Sequence, residues 1–324
     1  MQIMRPFYPI RRPVLWILCA TVLPALFAFG LALGLTAGEL RAQTDENTPG
    51  DASGSETLSA PTSEDGWAAY DRGDYRAARD IFEDLAADGD PDAAYGLAIM
   101  TANGLGGAAD YEAAAELYGM AASAGNAEAA SALGYHYDFG LGVPLNKDLA
   151  EYWYRKAADG GSLLGMNNLA YSWVEQRRHL REALDMIREV VAFGMIDSAT
   201  LDTLGWALYE LGAYREALPP LCQAVLLEPT HPELRSHLGD AYWRAGREAD
   251  ARKQWQEALT LEANPELLSP SGADFIQAQS RGEWRNRLAE RIARGLPGSN
   301  RPRADIGDPG IESEFTDDCA IPMS

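Results

Sequence analysis

The sequence predicts an all-α protein: a right-handed α-solenoid of antiparallel helix pairs, ended by a C-terminal capping helix. Three observations lead there. Residues 91–126 recur 36 positions later, and residues 198–231 recur 34 positions later. The recurring positions are mostly small or apolar, the types through which helices touch. Self-similarity at such a period marks stacked units, each too small to bury its apolar face alone. Composition agrees, because 47 % hydrophobic and 23 % charged residues in a chain of 324 can bury a sizeable core.

Charge and cysteine usage exclude several classes of function. Lys and Arg number 27 against 48 Asp and Glu, a formal net charge of -21. A polyanion of that size repels nucleic acid and anionic lipid surfaces. Three cysteines, Cys19, Cys222 and Cys319, neither staple a mini-domain nor offer a zinc-ligand spacing.

In chain order, residues 1–42 read as a signal peptide or an N-terminal membrane anchor. Arg5, Arg11 and Arg12 precede an uncharged stretch with an apolar core from Val14 to Leu35, and an acidic run follows it. That asymmetry keeps the N-terminus in the cytoplasm and sends the remainder across. The core is long for a signal peptide and just long enough to span a bilayer, so both readings stand. Residues 43–65, rich in Thr, Ser, Gly, Pro and acid, read as a disordered acidic linker.

The first repeating block pairs Ala93 with Ala129, Leu97 with Leu133, Gly104 with Gly140, Gly106 with Gly142, Tyr118 with Tyr154 and Gly125 with Gly161. Gly104, Gly106, Gly140 and Gly142 suit positive-φ turns in a longer loop between two helices. In the second block Leu204, Gly205, Ala207, Gly212, Ala217, Ala224 and Leu227 match Leu238, Gly239, Ala241, Gly246, Ala251, Ala258 and Leu261. Leu201, Leu204, Leu208 and Leu211 recur at helical spacing, and Gly212 stops that helix. Gly205 and Gly239 let helix backbones approach closely. Pro219 and Pro220 make the next helix start late or bend.

These motifs carry a resemblance. Residues 66–164 resemble Sel1-like repeats, through Ala130…Leu133-Gly134, Gly140-Leu141-Gly142-Val143 and Trp153-Tyr154-Arg155-Lys156-Ala157-Ala158. Residues 165–266 resemble tetratricopeptide repeats (TPRs), through Leu204-Gly205…Ala217…Ala224…Pro229, Leu238-Gly239…Tyr242…Ala251…Ala258 and a looser Leu169-Ala170…Trp173…Ala183…Val190. The resemblance implies a protein-binding superhelix and no particular activity. Residues 267–296 read as a linker and capping helix, with Trp284, Leu288 and Ile292 at four-residue spacing among arginines. Residues 297–324 read as a disordered acidic tail.

No constellation of chemistry emerges. His136, His179, His231 and His237 share no metal-ligand spacing, and His231 and His237 are expected on the surface beside a repeat junction. Gly104-Leu105-Gly106 and Gly140-Leu141-Gly142 lack the third glycine and the preceding strand of a phosphate loop, and their recurrence makes them inter-helix loops. Cys222 either pairs with Cys319 in an oxidising compartment or packs free between helices. The expectation is therefore no catalytic residue, no metal and no cofactor.

A solenoid binds. By their offset from the packing Leu-Gly, the side chains facing the concave groove are Asn167, Tyr171, Asp202, Trp206, Tyr209, Ser236, Asp240 and Trp243. Aromatics beside carboxylates suit an extended or helical peptide with apolar anchors and a basic or N-terminal charge, although such aromatics also pack between repeats. The expectation is a non-catalytic protein–protein interaction scaffold or adaptor of the bacterial envelope. It is exported to the periplasm, or anchored in the inner membrane with its repeats on the periplasmic side. It binds a protein or peptide partner, no nucleic acid, and membrane only through residues 1–42 if uncleaved. Two alternatives are a periplasmic regulator that masks the sensor domain of a membrane kinase, and an accessory subunit of a cell-wall enzyme.

Overall fold

A computed structural model describes residues 60–273 and 281–297, and from Pro61 onward these fall in one compact unit. Among them there is no strand. Six helix pairs follow one another: α1 (Ser63–Asp71) with α2 (Tyr75–Ala87), α3 (Pro91–Asn103) with α4 (Tyr111–Ser123), and α5 (Ala127–Phe139) with α6 (Lys147–Asp159). Then come α7 (Leu163–Glu175) with α8 (Leu180–Ala192), α9 (Ser198–Glu210) with α10 (Leu218–Leu227), and α11 (Pro232–Arg244) with α12 (Glu248–Ala263). A short 3₁₀ turn, Pro265–Leu267, precedes α13 (Arg281–Arg294). Each helix packs on its neighbours in sequence, and the first helices of successive pairs also touch, α7 on α9 and α9 on α11. This is an all-α solenoid of paired antiparallel helices.

Small residues set the spacing within each pair. A Cβ added at Gly205 would stand 2.4 Å from Leu221 Cγ, and one at Gly239 would stand 2.5 Å from the Trp255 ring. Leu221 and Trp255 are both fully buried, so each glycine is a notch that receives a large side chain from the second helix of its pair. Gly134 does the same for Tyr154. The four loop glycines of the 36-residue units all have positive φ, and Gly140 at +68° closes α5 in the left-handed conformation.

Proline decides where α10 begins. It starts only at Leu218 and runs ten residues, where α8, α9 and α11 each run thirteen. Pro219 and Pro220 lack backbone donors and so fit the first turn, where those donors have no intrahelical acceptor anyway.

The expected linker 43–65 ends too late. Helix α1 already begins at Ser63, because Thr62 and Asp65 form a reciprocal cap: the Asp65 backbone donates to Thr62 Oγ1 at 3.4 Å and the Thr62 backbone to Asp65 Oδ2 at 2.9 Å. Polar composition hid a cap inside what reads as linker. Helix α13 stops at Arg294, two residues before the expected end. It lays Trp284 and Leu288 inward, and Arg285 Nε donates to Glu262 of α12 at 2.8 Å. Cys222 is buried in α10, 3.6 Å from the Tyr242 hydroxyl. The other two cysteines lie outside the described residues, as do the segment 1–42, most of 43–65 and the tail beyond Pro297. No helix among the described residues is long and apolar enough to cross a membrane.

Candidate functional site

The first helices of the last three pairs, α7, α9 and α11, converge on a cluster of ionisable and aromatic side chains. At its centre Asp202, 4 % exposed, accepts the Nδ1 hydrogen bond of His237 at 2.9 and 3.0 Å. Burial works against a charged imidazole. The Asp202 charge and hydrogen bond, with Glu233 and Glu175 beyond, outweigh it and raise His237 to about 9. The pair is thus an imidazolium and a carboxylate buried together.

Aromatic rings pack around that pair. The Trp206 ring lies between two others, stacked on His237 at 4.0 Å and on Tyr209 at 4.4 Å. Its Nε1 donates to Glu175 Oε1 at 3.1 Å. Across the cluster the Tyr171 hydroxyl donates to Glu233 Oε1 at 3.3 Å, a contact between α7 and α11 that skips the intervening pair. Burial raises the Glu233 carboxyl to about 7; the charge of His237 opposes this, and those of Asp202 and Glu175 add to it. Burial likewise pushes Tyr171 well above its ordinary range.

Toward the C-terminus the cluster meets α13. Asp240, 2 % exposed, accepts from Trp255 Nε1 at 2.8 Å and pairs with Arg291 at 3.0 Å. Burial raises its carboxyl, and the Arg291 and His237 charges restrain the rise. Arg291 also donates to Ser236 Oγ at 2.8 Å. A cavity of about 240 Å³ opens here, between Glu175, Trp206, Glu233 and His237 on one side and Trp284 and Arg287 of α13 on the other. Arg287 pairs with no carboxylate among the described residues.

The eight residues expected to share a groove separate on inspection. Tyr171, Asp202, Trp206, Ser236 and Asp240 belong to the cluster or line the cavity. Tyr209 touches it only through the Trp206 stack, and burial together with the Asp240 charge pushes its hydroxyl up to about 12. Asn167 is buried, its Oδ1 without a hydrogen-bond partner among the described residues. Trp243 packs 5.6 Å from Trp255 under the Arg252 guanidinium, and Gly295 is pressed so closely to it that a Cβ there would clash. It is core.

His231 and His237 correct the sequence reading. Both are buried rather than on the surface, and His237 turns toward a carboxylate that sequence distance conceals, Asp202. Glu175 and Glu233 escape the sequence reading as well. One signal was available, since Asp202 and Ser236 are equivalent by the 34-residue period and His237 follows Ser236 directly. Among the described residues no three His, Cys, Asp or Glu are placed to hold a metal ion.

Comparisons with known proteins agree with this architecture. The Sel1 repeat model matches residues 91–126 and 127–162. A Sel1 repeat protein from Oxalobacter formigenes is 21 % identical, covering 71 % of this chain and 99 % of its own, with a TM-score of 0.47. A protective antigen of uropathogenic Escherichia coli strains, displaying an SLR fold, is 22 % identical with a TM-score of 0.50; the match covers 71 % of this chain and 52 % of that one. A thermophilic TPR protein of Thermus thermophilus is 23 % identical over 70 % of this chain and 95 % of its own, with a TM-score of 0.30. No curated protein matches the sequence. Residues 91–162 are thus two Sel1 repeats, set in an all-α solenoid of paired helices.

Proposed function

We propose that the protein is a non-catalytic scaffold of the bacterial cell envelope, which holds a protein or peptide segment on the face built by α7, α9 and α11. The observation that carries this reading is the make-up of that face. It sets Trp206 and Trp284 beside Glu175 and Glu233 around one open cavity, with Arg287 at its edge and Tyr171 behind Glu233. Aromatic walls with unpaired charge suit a peptide that brings an apolar anchor and a charge of its own. The helical-repeat fold, which builds extended binding surfaces in many settings, is compatible with it.

Finer parts of the reading belong to the same proposal. The Sel1 repeats are followed by the shorter TPRs, a reading supported by the spacing between the notch and its large partner, which falls from 20 residues at Gly134 and Tyr154 to 16 at Gly205 and Leu221. Helix α13 caps the array, with Trp284 and Leu288 inward and its arginines outward or paired. Export rests on the positive residues before the apolar stretch 14–35.

Site-specific photo-cross-linking in envelope extract tests the binding face. A cross-linking residue at Glu175 or Arg287, both exposed at the cavity, is expected to trap a partner. The same residue at Met120 on α4, 57 % exposed, is expected to trap none. Adducts at Met120 alone would move the binding surface to the N-terminal repeats.

A further inference from the structure

We propose that the junction of α7, α9 and α11 is a pH-sensitive clasp, which holds the helices of alternate pairs together in mild acid and releases them in base. The proposal rests on geometry and does not depend on any partner. Each of the three helices brings one carboxylate to the same place: Glu175 from α7, Asp202 from α9 and Glu233 from α11. One imidazole, His237, stands among them, bonded to Asp202. The Tyr171–Glu233 hydrogen bond is the direct link between α7 and α11.

The surrounding charges are spoken for. Glu210 of α9 pairs with Arg177 at 3.0 Å, and Asp240 of α11 pairs with Arg291 of α13. His231 at the start of α11 faces Glu228 and is held toward its neutral form by burial. Arg287 of α13 is exposed at the far wall of the cavity, and Tyr171 is kept a neutral donor. The net charge between the three helices is therefore set by Glu233 and His237.

Both groups act in the same direction. Glu233 is raised from an ordinary carboxylate value to about 7, so a penalty for its ionised form appears above about 4.5 and grows until pH 7. His237 is raised to about 9, so its contribution is complete below about 6.5 and lost as pH rises through 9. In mild acid one ion pair and one neutral carboxyl are enclosed. In base three carboxylates on three helices face one another with no cation between them among the described residues, and their burial and mutual repulsion outweigh the Tyr171 hydrogen bond, which favours the ionised Glu233.

Hydrogen–deuterium exchange of the full chain at pH 6, 8 and 9, with labelling times scaled for intrinsic exchange, reads the clasp directly. Protection of segments 163–175 and 232–244 is expected to fall about tenfold between pH 6 and 9, while segment 91–103 holds. Glu233→Gln keeps an acceptor for Tyr171 without a charge, and is expected to lessen the fall between pH 6 and 8, leaving the part that follows His237 from about pH 6.5 to 9. Equal protection of the wild-type segments at every pH overturns the proposal. So does a Glu233→Gln protein, helical by circular dichroism, that loses protection as the wild type does. Should Glu233→Gln fail to fold, the wild-type profile alone decides, since a loss shared by segment 91–103 would mean general unfolding and also refute the clasp.

Discussion

The two halves of the chain use one hairpin plan and stabilise it differently. In α1 to α7 every helix begins with a side-chain cap: Thr62, Asp74, Asp90, Asp110, Asn126, Asn146 and Ser162 in turn. From α8 to α12 only α9 does, through Asp197; α8, α10, α11 and α12 have no such bond. Two of the uncapped helices, α10 and α11, have enclosure in place of a local signal, whereas α8 and α12, with five of thirteen and six of sixteen residues buried, have neither. Eleven of the thirteen residues of α11 are buried, Arg235, Ser236, His237 and Asp240 among them, against seven of thirteen in α5. Local capping and tertiary enclosure are alternative ways to hold a short helix, since isolated helices of this length are marginal in water. The enclosed half is where polar groups are forced to pair with one another, and so where the molecule has ionisable chemistry to use.

That comparison breaks most visibly at Asp202. Asp202→Asn leaves the His237 imidazolium buried beside a neutral amide, and removing one partner of a buried pair costs about 3–5 kcal/mol. The loss is expected in full below about pH 6.5 and to shrink as pH rises through 9, where wild-type His237 also gives up its proton. Urea unfolding at pH 6 and 9.5 measures both. A pH-independent loss would mean that the pair is packing and not charge. Smaller is the effect of filling a notch. Gly239→Ala sets a Cβ against the Trp255 ring, which has no room to retreat, and about 1–3 kcal/mol is expected by the same assay. Gly134→Ala against Tyr154 is expected to cost a similar amount, because the notch is the feature the two halves share. A large difference between the two would show that the longer Sel1 loop lets its pair spread.

These effects divide along the line between what the sequence displays and what it conceals. Notches are legible because a small residue, alanine or glycine, returns after Leu97, Leu133, Leu169, Leu204 and Leu238, and the family match over 91–162 coincides with the 36-residue block. Helix α13 is legible because Trp284, Leu288 and Ile292 lie on one face, and the late start of α10 because Pro219 and Pro220 admit no earlier one. The cluster is not legible in this way. Asp202 and His237 are 35 residues apart, one more than the period, and Tyr171 and Glu233 are 62 apart. Such pairs arise where neighbouring repeats rotate against each other, so a change of one position in register decides whether an acid meets a base. Composition then misleads as well, since a histidine beside a repeat junction in a strongly acidic chain has every appearance of a surface residue.

The smallest expected effect sharpens the comparison from the capped side. Asp110 Oδ1 accepts from the backbones of Glu112 and Ala113, both at 3.0 Å, and these donors have no other acceptor in the first turn of α4. Asp110→Ala should therefore cost about 1 kcal/mol. His179 holds the corresponding place before α8, at φ +50° and with no side-chain capping hydrogen bond, although its Nδ1 lies 3.7 Å from Glu182 and its ring 5.0 Å from Trp173. His179→Ala removes no cap, and its cost should stay within about 0.5 kcal/mol. Urea midpoints of the two variants, at one pH and with unchanged slope, give the ratio directly. Equal losses would mean that α8 depends on its first turn as α4 does, although no side chain caps it.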